Sequence, residues 1–172
     1  MKTMSTIFLL ASLSALSSCR LFHNNDDPQL PPITMTGKNT FGCLVNGKVW
    51  LPKGRYNVPP VEADYTSGSS LSFNAVSTYS GFVFFIRNPI LIGQNYVLSD
   101  TSKVKVWYEV DTNNAVCVYE DYHVTKGILT LTVFDLQKRV LSGVFEFTTY
   151  NPACGDTIKI TDGRFDIAEI TR

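Results

Sequence analysis

Residues able to do covalent or acid–base chemistry are sparse in this 172-residue chain. A hydrolase triad needs a nucleophile, a general base and an acid that orients the base. Outside the N-terminal segment, which holds His23, the one imidazole is His123. It sits in Glu120-Asp121-Tyr122-His123, beside acids but away from any Gly-x-Ser-x-Gly elbow, and reads as a strand-end or surface residue. A glycosidase needs two carboxylates across one cleft. Glu62, Asp64, Glu109, Asp111, Glu120 and Asp121 are available, but no spacing singles out a pair. No Cys-x-x-Cys pair, EF-hand loop or Gly-rich phosphate cradle occurs, so the residues imply no metal and no cofactor. This inventory points away from an enzyme. The alternative is a small hydrolase acting on glycan or peptide, built on His123 or on two converging acids.

The cysteine with the clearest chemistry is Cys19, preceded by Leu16-Ser17-Ser18. Ahead of it run Lys2 and an apolar segment from Ile7 to Leu16. That segment is half the length of about twenty residues needed to span a bilayer, which marks a signal peptide rather than a membrane helix. Small residues leading to Cys resemble the lipobox of bacterial lipoproteins. The resemblance implies a thioether-linked lipid on Cys19 and cleavage before it, and several acyl chains on one residue anchor stably. Residues 1–18 are then the leader. Residues 19–39 read as a flexible tether, with Asn24-Asn25-Asp26-Asp27, Pro28, Pro31 and Pro32 and few large apolar side chains.

Residues 40–172 remain as one domain, long enough to bury a core. Lys plus Arg equals Asp plus Glu at 15 each. Loss of Lys2 with the leader leaves the mature chain slightly acidic, so nothing drives nucleic-acid binding. The membrane is met through the lipid. Three further cysteines stand in the domain: Cys43, Cys117 and Cys154. An oxidising envelope would pair two of them. Loop entropy favours Cys43–Cys154 over Cys117–Cys154 by only about 1 kcal/mol. The reading takes Cys43–Cys154, because each flanks a predicted terminal hairpin.

The elements that must position these residues are strands. Apolar residues alternate or come in short runs rich in Val, Ile, Phe, Tyr and Thr, with turn signals about every ten residues. The pattern predicts an all-β domain: a mostly antiparallel β-sandwich or flattened barrel of about eight to ten strands. Asn46-Gly47 predicts a type I′ hairpin pairing Val45 with Lys48, Leu44 with Val49 and Cys43 with Trp50. Asp162-Gly163 predicts a second hairpin, pairing Ile160 with Phe165 and Lys159 with Asp166. Between them, strands are expected near residues 70–75, 82–87, 95–98, 104–109, 116–119, 127–135 and 141–150. Phe82 to Ile86, apolar throughout, predicts a central strand covered on both faces. Residues 53–69 read as irregular.

Aromatic residues are numerous. Trp50 and Trp107 fall in strands and read as packing residues. Tyr56 and Tyr65 fall in the irregular stretch, so a binding surface is expected there first. Rings of this kind can stack on sugars or anchor a protein partner.

The string Asn39-Thr40-Phe41-Gly42-Cys43-Leu44-Val45-Asn46-Gly47-Lys48-Val49-Trp50-Leu51-Pro52, Ser142-Gly143-Val144-Phe145-Glu146-Phe147 and the ending Ile160-Thr161-Asp162-Gly163-Arg164-Phe165-Asp166-Ile167 together resemble an uncharacterised envelope lipoprotein family of the Bacteroidetes. The resemblance implies an outer-membrane lipoprotein, periplasmic or surface-facing, with an all-β domain. It carries no catalytic residues. The expectation is a non-enzymatic, lipid-anchored envelope module that binds a glycan or a protein, or serves a structural role.

Overall fold

Asn46 and Gly47 both have positive φ, 49° and 79°, as a type I′ turn requires. They join β1 (Thr40–Val45) to β2 (Lys48–Trp50). The pairs are Val45–Lys48, Leu44–Val49 and Cys43–Trp50, the register predicted from the turn. The computed structural model describes residues 28–112 and 115–172. The expected leader, Cys19 and the first part of the expected tether lie outside the described residues.

The remaining strands are β3 (Val61–Thr66), β4 (Ser70–Ser77), β5 (Ser80–Arg87), β6 (Asn95–Val97), β7 (Val104–Thr112), β8 (Ala115–Tyr119), β9 (Val124–Asp135), β10 (Val140–Asn151) and β11 (Asp156–Ile167). Eleven strands among the described residues form two antiparallel sheets, ordered β2-β1-β11-β10-β9-β6 and β3-β4-β5-β7-β8. This is an open sandwich and not a closed barrel. The extra strand relative to expectation is β3. Its Val-Glu-Ala-Asp-Tyr-Thr sequence alternates, but Ala and two acids weaken the strand signal.

The second predicted hairpin does not form. β11 continues unbroken through Asp162-Gly163. Its neighbours are β1 and β10, one on each side. Opposite β10, Phe145 pairs with Gly163 and Phe147 with Ile160, so Thr161 and Asp162 together face Glu146. Opposite β1, the register likewise shifts between Gly42 and Leu44. This is a β-bulge, with Asp162 at φ 54°. Turn and bulge demand the same backbone conformation, so the same residue types serve either. The extra residue inverts the side-chain alternation. Ile158, Ile160, Phe165 and Ile167 are therefore all buried. Lys159 does not meet Asp166; it faces Thr148 across the sheet.

The two sheets meet through phenylalanine. Phe73 lies 4.7 Å from Phe84 and 4.4 Å from Phe165, centroid to centroid, and Phe84 lies 4.9 Å from Phe145. Each buried ring contributes about 1.5–3 kcal/mol by leaving water. Trp50 edges onto Phe82 at 4.8 Å, and its Nε1–H donates to Ser80 Oγ at 2.8 Å. Phe82, Phe84 and Ile86 of β5 point into this core. Val83 is 40% exposed, so β5 is covered on one face, not both. The five-stranded sheet is antiparallel, and such sheets commonly leave one face to solvent.

Residues 30–39, expected to belong to a flexible tether, pack against the domain. Residues 34–38 wrap the carboxylate of Asp166. Thr34 Oγ1 and the Thr36 and Lys38 amides donate to Oδ2 at 2.6, 3.1 and 3.1 Å. The Gly37 amide and Ser142 Oγ donate to Oδ1 at 2.8 and 2.7 Å. Leu30 and Pro31 cover Gly42, where any Cβ would stand 2.7 Å from Pro31. This strap buries Asp166 to 1% exposure. A buried carboxylate needs such donors, and that need, rather than local composition, fixes the segment.

Candidate functional site

The solvent face of the five-stranded sheet is built by cross-strand rows. One row runs Glu62, Asn74, Val83 and Trp107; the next runs Asp64, Ser72, Phe85 and Lys105. Strand alternation puts these side chains opposite the buried set Phe73, Phe82, Phe84, Ile86, Val106 and Tyr108. On the edge strand β8, Val118 and Val116, at 39% and 60% exposure, stand across from Glu109 and Asp111. The face therefore carries a central band of Val83, Phe85 and Trp107, bordered by amide, hydroxyl and carboxylate groups.

Three of its cations are engaged, and a fourth, Lys103 beside Arg87, is exposed. Lys105 Nζ lies 3.6 Å from the buried Asp121 and 5.9 Å from the centroid of the Trp107 ring. Arg55 meets Glu109 at 3.5 Å. Arg87 donates to the carbonyls of Thr101 and Ser102 at 3.0 and 2.8 Å.

Tyr56 stands at one margin of this face and is 92% exposed. Its turn is closed by reciprocal Arg55–Val58 backbone bonds and tied to β4 by the Lys53 and Gly54 amides, which share the Val76 carbonyl. Tyr65, the other expected surface residue, is turned inward. Its ring packs edge-on to Phe134 at 5.2 Å, at the rim of the core. The structure thus keeps Tyr56 as a surface aromatic and gives Tyr65 to packing, because Tyr65 shares the inward phase of Val61 and Ala63 in β3. Trp107, read from sequence as packing, lies on the outer phase of β7. The alternation of buried Val104, Val106 and Tyr108 around it was the signal that could have placed it there.

The expected Cys43–Cys154 disulfide is not the one formed. Cys117 bonds Cys154, with Cα atoms 6.1 Å apart. Cys43 is a free thiol sealed in the core, and burial raises its pKa. Cys43 lies on β1, within the six-stranded sheet. Cys154 sits in the β10–β11 turn, which folds against β8, where Asn151 Nδ2 donates to the Val118 carbonyl at 2.7 Å. Tyr119 reinforces this clamp by donating to Asp156 at 2.7 Å.

The chemistry-bearing residues are dispersed. His123 ends a single 3-10 turn, Asp121–His123, with its ring 4.3 Å from Tyr122. Glu120 accepts the Tyr122 hydroxyl, and Asp64 accepts that of Thr171 at 2.7 Å. No cluster of three or more His, Cys, Asp or Glu suited to a metal occurs among the described residues. An open depression of about 480 Å³ is lined by Leu136, Gln137, Arg139, Ile170 and Arg172. Both guanidinium groups there donate to backbone carbonyls, Arg139 to Ile170 and Glu169, Arg172 to Leu136.

Residues 54–167, well over half of the chain, match a family described as a domain of unknown function, DUF6252. The chain belongs to this family. No curated protein and no solved structure matches it. The DUF6252 match takes in the Tyr56 turn, the whole five-stranded sheet, the disulfide and Asp166. Hairpin β1–β2 and the strap precede it, although β1 is an inner strand of the six-stranded sheet. The resemblance to an uncharacterised family therefore agrees with DUF6252 membership.

Proposed function

We propose that this DUF6252 protein is a lipid-anchored, non-enzymatic recognition module of the bacterial cell envelope. It is held at the outer membrane of a Bacteroidetes cell by acylated Cys19, facing the periplasm or the cell surface. The outer face of its five-stranded sheet would meet a glycan or protein partner. The observation that carries this reading is the Val83–Phe85–Trp107 band, apolar and aromatic, on a sheet whose other face is fully committed to the core. Exposed apolar patches rimmed by polar groups mark interaction sites. The anchor rests on the Leu16-Ser17-Ser18-Cys19 motif.

Two experiments test it in the native host. Cys19→Ala should release the protein from the membrane fraction; unchanged retention would defeat the anchor. A photo-crosslinking residue at position 83 should capture envelope material that the same residue at position 128, on the outer face of the other sheet, does not. Equal or absent capture at both positions would defeat the recognition face.

A further inference from the structure

We infer that the ligand of this face is an uncharged glycan chain lying across Val83, Phe85 and Trp107. The inference rests on the recognition reading above and adds the chemical class. A sugar ring presents an apolar C–H face and a rim of hydroxyl groups that both donate and accept. A flat protein surface matches it when an aromatic ring lies beside short polar side chains. Asn74 is directly across from Val83, which is directly across from Trp107; Ser72 stands in the same relation to Phe85. The Asn amide and Ser hydroxyl each donate and accept. Glu62 and Asp64 continue the two rows with carboxylates, acceptors for neighbouring hydroxyl pairs.

Charge and size narrow the class. Lys105 is paired with Asp121, Arg55 with Glu109, and Arg87 is spent on carbonyls. Glu62 and Asp111 add negative charge on the same side. A face on which three of four cations are paired or spent, with carboxylates at its border, opposes anionic polymers. The apolar band comprises Val83, Phe85 and Trp107. A stable protein interface commonly takes about 20–30 residues a side, so a narrow ligand suits this band better. Lys105 Nζ, 5.9 Å from the centroid of the Trp107 ring, attracts the indole and restrains it.

The test uses the purified Cys19→Ala protein with neutral polysaccharides (β-glucan, xylan, mannan, arabinan) in affinity gels, and acidic pectin and alginate beside them. At least one neutral polymer should retard the protein. Trp107→Ala should weaken that binding by about tenfold or more, the scale of a lost aromatic hot spot, while Trp107→Phe retains most of it. Val83→Glu, at an exposed position, supplies a second variant should Trp107→Ala lose its fold in a thermal melt, and should also abolish retardation. Retardation by no neutral polymer, preference for the acidic polymers, or binding indifferent to both substitutions would overturn the inference. A protein captured from position 83 without polysaccharide binding would sink the glycan class and leave the recognition face standing. Failure of both assays would remove both.

Discussion

Thr34 Oγ1 donates to Asp166 Oδ2 at 2.6 Å, joining residues 132 apart in sequence. This bond and four companions make Asp166 the peg on which the N-terminal strap is hung. Burial alone would raise the carboxyl pKa, but the hydrogen bonds from Thr34, Ser142, Gly37 and Thr36 outweigh it and lower it from 3.8 to about 2. A carboxyl depressed in the folded state stabilises fully above its unfolded pKa. That stability is lost as pH falls from near 4 toward 2. Asp166→Asn should lower stability at pH 7 by on the order of 2–3 kcal/mol. Urea melts of both proteins from pH 7 to pH 2 should converge at the acid end; a constant gap across that range would count against the peg.

Gly163 is required for a reason other than turn geometry. A Cβ there would stand 2.5 Å from the Phe145 carbonyl oxygen and 2.6 Å from its ring. Gly163→Ala should therefore cost about 1–3 kcal/mol through overpacking. Asp162 carries the positive φ of the bulge, so Asp162→Gly should be near neutral. Thermal melts that reversed this order would show that the Asp-Gly pair acts as a turn.

The Cys117–Cys154 bond closes a loop of 37 residues. Loop entropy gives it about 3–4 kcal/mol. Cys154→Ser should lower the melting temperature as reductant does, and reductant should have no further effect on the variant. Denatured, unreduced Cys19→Ala protein should show one reactive thiol, and peptide mapping should place it at Cys43. A label on Cys117 or Cys154 would refute the pairing.

Thr149 is fully buried on β10, and its hydroxyl has no partner among the described residues. Valine has the same shape without the unsatisfied group. Thr149→Val should raise stability by about 1 kcal/mol, measured by chemical denaturation. A loss of that size would mean the hydroxyl has a bound partner.

The legible parts of the fold were those with local causes. Asn46-Gly47 dictated its hairpin to the residue, since a two-residue loop leaves only one pairing. The strands expected at 127–135 and 141–150 are β9 and β10, whose pairing register, with Val140 opposite Asp135, came from the structure. Of the two tyrosines expected at the surface, Tyr56 is exposed and Tyr65 packs against Phe134. Trp107 was read as packing from its indole alone, although it shares the phase of Lys105 and Glu109 in β7.

By itself, then, the sequence determined an all-β domain, most of its strands and one hairpin register. Turn chemistry and two-residue periodicity act over a few residues, so they can be read in a row. The tertiary structure alone decided whether Asp162-Gly163 would turn or bulge, because that depended on β1 and β10 flanking β11 on both sides. It chose Cys117 over Cys43 for Cys154, since pairing needs Cα atoms brought within reach across two sheets. It drew the strap onto Asp166 and left Trp107 half-buried on the outer face of its sheet. Each outcome depends on contacts between segments far apart in the chain, and such contacts have no local signature.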